Sequence, residues 1–192
     1  MELSPALYRC ALAVALVCSH ETLARAQGTA LDARLYGLAL DSLFAEPWRE
    51  GDSLLIASET MASPFRDGPL RRVVSDSIWR RTVRRYLPGL QPSTELLLDP
   101  QERPPKSIPR AIESRRAYRF NSSDSMDLVP DWAKGARYSV SLSEVQYSRD
   151  GSQALVYVVH ACPLCGWGAL VLLARDSANV WRVSATLQVW FS

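Results

Sequence analysis

The residues with chemistry in them are gathered in one short stretch, His160-Ala-Cys162-Pro-Leu-Cys165. If Pro163 and Leu164 are the central residues of a β-turn, Cys162 and Cys165 become its ends. Their Cα atoms then lie within about 7 Å, the separation a disulfide needs. In an exported protein a turn-closing disulfide between Cys162 and Cys165 is the first reading. The second is a redox dithiol, since Cys-x-x-Cys is the oxidoreductase spacing. Such motifs sit at a helix N-terminus, and here Gly166-Trp-Gly168 leads into a strand instead. The third is metal. On a strand His160 and Cys162 share a face, and the turn brings Cys165 near, giving three ligands of the zinc type without a second pair. The fourth is a pair of inert buried thiols.

Catalysis has less to stand on. His160 shares its parity with Ala154, Val156 and Val158 in an apolar run, the setting of a core histidine rather than a general base. No G-x-S-x-G, phosphate-binding glycine loop or spaced carboxylate pair occurs. The expectation is therefore a non-enzymatic module that binds a ligand or partner or plays a structural role, with no cofactor. Trp48, Trp132 and Trp167 are candidates to line a concave sheet, and core packing is their plainer role. The alternative is an enzyme or a metal or redox protein centred on His160, Cys162 and Cys165.

The compartment follows from the first residues. Arg9, the apolar run Cys10–Cys18 and Ala24-Arg-Ala26 have the order of a secretory signal peptide, predicted over residues 1–26. A lipoprotein signal with Cys18 as the lipidated residue is the rival, and Val17 stands where that signal needs a small residue. No later segment reaches the roughly 20 apolar residues of a membrane span. Residues 27–192 are the size of one domain. The net charge of +2 gives no reason to expect nucleic acid.

The elements that position the chemistry can be read in order. Apolar residues Leu31, Leu35, Leu38, Ala39 and Leu43 predict an amphipathic helix over 30–45, ended by Pro47. Ser53–Ser58 reads as a short strand. A second helix is predicted from Pro69 or Leu70 to Tyr86, with Val73, Val74, Ile78, Trp79, Val83, Tyr86 and Leu87 as its apolar side. Arg80, Arg81, Arg84 and Arg85 crowd its last turns. They read as a solvated face favoured near a helix C-terminus, or as a contact for an anionic surface or membrane. Residues 88–109 are proline-rich and irregular, with a short strand at Glu95–Leu98. Arg115–Phe120 reads as an edge strand and Asn121–Ser125 as a polar loop.

The last third is clearer. Tyr138–Leu142 alternates with period two, and Val145–Tyr147 resumes one residue out of phase, predicting a bulge near Ser143-Glu144. Arg149-Asp-Gly-Ser152 is a hairpin turn. Ala154–Ala161 and Ala169–Ala174 are apolar at both parities, so they predict a central hairpin buried on both faces. After a turn at Asp176–Asn179, Trp181–Phe191 alternates to the end, with Trp181, Val183, Ala185, Leu187 and Val189 directed at the core. Gly166 and Gly168 are expected to supply unusual φ where the chain leaves the cysteine turn. The fold class is α+β, two N-terminal helices packed on a C-terminal four-stranded antiparallel meander, similar to the cystatin or NTF2-like architecture.

Leu142-Ser-x-Val145, Ala154–Val158, Cys162-x-x-Cys-Gly-x-Gly168 and the terminal Trp190-Phe-Ser192 resemble a family of uncharacterised secreted bacterial proteins. Leu35-Tyr36 to Phe44, followed by the strand at Leu55-Ile56, is similar to the N-terminal part of that family. The resemblance implies export and a C-terminal meander, and it carries no activity.

Overall fold

The structure, a computed structural model, describes residues 28–45, 52–61, 77–95, 98, 104–121, 138–162 and 165–191. The expectations for residues 1–26, for the polar loop Asn121–Ser125 beyond its first residue, for Trp48 and Trp132 and for the first turns of the arginine-rich helix lie outside these residues.

The chain forms a mixed α+β structure around one seven-stranded sheet. At its centre β5 (Gln153–Cys162) and β6 (Cys165–Arg175) pair antiparallel from Gln153 opposite Ala174 to Cys162 opposite Cys165. Both parities of this hairpin are buried: Ala154, Val156 and Val158 on one face, Leu155 and Tyr157 on the other. A strand puts alternate side chains on opposite faces, so such a hairpin needs an apolar cover on each side.

Helix α1, over residues 28–43, covers the first face with Leu35, Tyr36, Ala39, Leu40 and, one turn on, Phe44. Leu31, Leu38 and Leu43, expected in the stripe, sit half-buried at its flanks. Tyr36 takes the middle because its phenol donates to the Ser143 carbonyl at 3.0 Å, so burying it strands no polar group. Helix α2 (Ser77–Tyr86) covers the opposite face with Trp79, Val83 and, past its end, Leu87, against Leu155, Tyr157, Leu170 and Leu172. Tyr86 is exposed. The result is helix, sheet and helix in layers.

Beyond β5 the sheet runs to β3 (Tyr138–Leu142), then β1 (Leu54–Ile56), then β2 (Tyr118–Phe120) at the edge. β1 is parallel to both neighbours, so the sheet is wider than the four C-terminal strands. The phase slip near Ser143 is present. β3 pairs with one half of β5 and β4 (Gln146–Tyr147) with the other. Between them the Ser143 N–H donates to Tyr157 O at 2.8 Å and its hydroxyl accepts the Tyr157 N–H at 2.9 Å, so the Ser143 and Tyr157 N–H groups are both met across the break. The 149–152 turn closes with Gly151 at φ 67° and Ser148 bonded to Gln153.

Three expectations are corrected. Glu95 does not open a strand: Pro92–Glu95 is the short helix α3, with proline preset for its first turn and Thr94 and Glu95 N–H groups on the Gln91 carbonyl. β7 (Trp181–Phe191) does not keep one parity toward one core. Leu173 pairs with Val183 but Leu172 with Ala185, so Ser184 is an extra residue. Trp181 and Val183 therefore join the α1 side, and Ala185, Leu187 and Val189 the α2 side. Gly168 has no positive φ. It is glycine for space, since a Cβ there would meet Trp190 Nε1 at 2.2 Å and the Tyr157 hydroxyl at 2.3 Å. Those two groups bond to each other at 2.6 Å across the bare α-carbon.

Gly37 makes the docking of α1 testable. A Cβ at this position would stand 2.0 Å from the backbone oxygen of Glu113. In an exposed helix Gly→Ala stabilises by about 1 kcal/mol. Here the collision is with backbone that cannot turn aside, so Gly37→Ala is expected to destabilise by about 1–3 kcal/mol in denaturant unfolding. A gain in stability would show that α1 does not pack on this segment.

Candidate functional site

The site is built on one row across the sheet. His160 on β5 pairs with Val140 of β3 on one side and Trp167 of β6 on the other, and Trp167 pairs with Phe191 of β7. Direct cross-strand partners share a face, so His160, Trp167 and Phe191 all project toward the α1 side. The imidazole stacks on Trp167, ring centroids 5.0 Å apart and 24° between planes. Tyr138 meets it edge-on at 4.7 Å, and Phe44, one residue beyond α1, stands at 5.9 Å. Phe44 also touches Tyr138 and Trp167, closing an aromatic wall around the imidazole.

His160 is only 3% exposed, and among the described residues neither ring nitrogen has a hydrogen-bond partner. Burial alone pushes its pKa below the ordinary histidine value of 6.5, so at neutral pH it is an uncharged ring. An uncharged imidazole holds one N–H donor and one bare nitrogen acceptor. Leaving a buried donor or acceptor unmet costs about 1–3 kcal/mol, which is unusual for a native core.

Cys162 and Cys165 end the same hairpin directly opposite one another. By parity Cys165 lies on the Trp167 face. The Cys162 side chain is outside the described residues. Among the described residues no group of three or more His, Cys, Asp or Glu is placed to hold a metal ion. None of the described helices is long and apolar enough to cross a membrane.

The arginine cluster is partly occupied from within the chain. Glu95 on α3 is buried, and it accepts a 2.8 Å bond from Arg84 Nε with Arg80 Nη1 at 3.7 Å. Arg85 lies over the Tyr86 ring at 5.7 Å. Arg80 and Arg84 thus point at one carboxylate of their own fold.

Two features escaped the sequence reading. One is the aromatic wall: Phe44 and Tyr138 lie at element ends, where periodicity carries least information. Their type, next to a buried histidine, was the available signal. The other is a polar pin between α1 and the β3–β4 break. Tyr147 donates to Asp32 at 2.6 Å, and burial raises the Asp32 carboxyl above its usual value. Burial also raises both Tyr36 and Tyr147, so they remain phenols and donors. No residue pattern in the sequence announces this pair across the chain.

The chain matches no family model, no curated protein and no solved structure.

The histidine makes a pH prediction. Its folded pKa is below 6.5 and its unfolded pKa near 6.5, so the unfolded chain binds more protons between the two. The His160 contribution to stability is complete above about pH 6.5 and is lost as the pH falls through the window below it, by up to about 1.4 kcal/mol per pH unit. Asp32, with a raised folded pKa, acts in the opposite sense, so the wild type is compared with His160→Phe. Melting temperatures from pH 7.5 to 5 are expected to diverge, the wild type losing more. Parallel curves would show that His160 is not buried neutral.

Proposed function

We propose that this protein is a non-enzymatic exported module that binds a small uncharged ligand at the end of the central hairpin. The observation that carries the reading is His160, buried among aromatic rings with both nitrogens unmet. A ligand offering one acceptor and one donor, such as a hydroxyl on an apolar body, suits a neutral imidazole and adjoining π-faces. Among the described residues burial, and no charged side chain, shifts the His160 imidazole, which favours an uncharged ligand. Export is supported by the residue order in 1–26 and by the placement of two cysteines opposite each other on a hairpin end.

The probe is phenol, the simplest molecule that combines an aromatic face with a hydroxyl. Titration is expected to move the His160 imidazole ¹⁵N resonances saturably and to raise the melting temperature, with neither effect in folded His160→Phe. Zinc added to reduced protein is the parallel arm. One zinc per chain, moving the same resonances while phenol does not, replaces this reading with the metal alternative at His160, Cys162 and Cys165. No response to either removes His160 as a binding group.

A disulfide between Cys162 and Cys165 belongs to the same proposal. It is supported by their register, which sets the two residues opposite each other at the hairpin end. Alkylation of unreduced, denatured protein is expected to add no label at either cysteine. So small a loop contributes only about 2 kcal/mol in the chain-entropy account, so reduction should lower the melting temperature and leave the sheet intact. Two labelled cysteines in freshly exported protein would end the disulfide.

A further inference from the structure

We propose that β7 is the contact strand of a homodimer, pairing antiparallel with β7 of a second copy about a two-fold axis at Thr186. Among the described residues β7 is the last strand of the sheet and pairs on one side alone. It is an eleven-residue edge with neither proline nor lysine, the residues by which exposed edges are usually blunted. A two-fold at Thr186, the middle of the strand, places Trp181 opposite Phe191, Arg182 opposite Trp190, and Ala185 opposite Leu187. Aromatic meets aromatic, a cation meets an indole and aliphatic meets aliphatic. The strand's one charge never meets itself.

Face matching is the stricter condition, because opposed residues must emerge on the same side of the joined sheet. Two bulges would ordinarily spoil it. Ser184 is the extra residue between Val183 and Ala185, and Val189 the extra one between Gln188 and Trp190. One lies in each half of the strand, so each half changes phase once. Arg182 pairs with Ala174 and Trp190 with Gly168, both on the α2 side. Trp181 pairs with Arg175 and Phe191 with Trp167, both on the α1 side. The faces therefore agree again at both ends, and a second copy is the partner whose pattern is guaranteed to repeat this phase. Phe191, 82% exposed, gains a covering neighbour in that arrangement. Arg182 is already oriented, its Nε donating to Asp176 at 2.7 Å.

The test uses substitutions at exposed positions of the edge. Thr186→Cys sets two thiols opposite each other, so mild oxidation should give a covalent dimer, whereas Arg182→Cys, which faces Trp190, should not. Thr186→Lys opposes two ammonium groups and should raise the dimer dissociation constant about ten-fold or more in sedimentation equilibrium. Circular dichroism checks that this variant folds, and the two cysteine variants decide the matter if it does not. A wild type that sediments as a monomer up to its solubility limit overturns the proposal. So does a dimer that Thr186→Lys leaves intact and Thr186→Cys fails to cross-link.

Discussion

Burial of both faces of the β5–β6 hairpin is the constraint to which the other elements answer. Ten residues of strand span about 33 Å, and along that length the hairpin offers almost no polar side chain to water. A sheet covered by helices on one side only would leave Leu155, Tyr157, Leu170 and Leu172, or else Ala154, Val156, Val158 and Val171, exposed as a patch. Two helices on opposite faces are the least structure that meets this demand. Each is held by a specific contact: α1 by the Tyr36 and Tyr147 bonds near the β3–β4 break, and the end of α2 by Arg84 on Glu95. The second contact is an ion pair with one exposed partner, so it orients the two helices more than it stabilises them.

The two edges of the sheet are treated differently. On one side the sheet is extended by short parallel strands, three residues each, which leave little ladder open. Short edge strands are a recognised protection against pairing with another chain. On the other side the sheet stops at a full-length strand whose only irregularities are two bulges. Bulges twist an edge and usually discourage pairing. Here their placement in opposite halves cancels the phase change for a partner running the opposite way.

Sequence reading succeeded where one physical signal dominated. The double-parity apolar runs located the hairpin, the slip after Leu142 located the β3–β4 break, and Asp150-Gly151 located the turn. It failed where two causes competed for the same residues. Alternation in Trp181–Phe191 is regular in sequence, yet Ser184 and Val189 shift the ladder, and nothing local to those residues announces a register set by β6. Gly168 was legible as special, but its cause is the Trp190–Tyr157 bond formed between distant positions. Glu95–Leu98 has a strand's composition, and Pro92 with the Arg84 partner makes Glu95 helical instead. Of the candidate site, His160 and the cysteine pair were legible from type and spacing. Phe44 and Tyr138 were not, because a wall assembled from three elements has no signature in any one of them.

Gln153 and His160 sharpen the case for a site, since they are the buried polar residues at the two ends of one strand. Gln153 is fully provided for. Its side-chain oxygen accepts the Gln91 N–H at 3.0 Å and the Thr94 hydroxyl at 2.7 Å, and its amide nitrogen donates to the Gly89 carbonyl at 2.7 Å. This is how a buried amide is ordinarily retained in a core, with α3 and the turn after α2 shaped around it. His160, seven positions along, has the same depth and none of these bonds. A phenylalanine there would keep the stack on Trp167 and the edge contact with Tyr138 without an unmet donor and acceptor. Local rules are broken in native folds mostly where function requires it. The same strand obeys the rule at Gln153 and breaks it at His160; among the described residues Trp79 and Gln146 each leave one buried polar atom unmet, whereas His160 leaves both of its ring nitrogens unmet inside an aromatic wall.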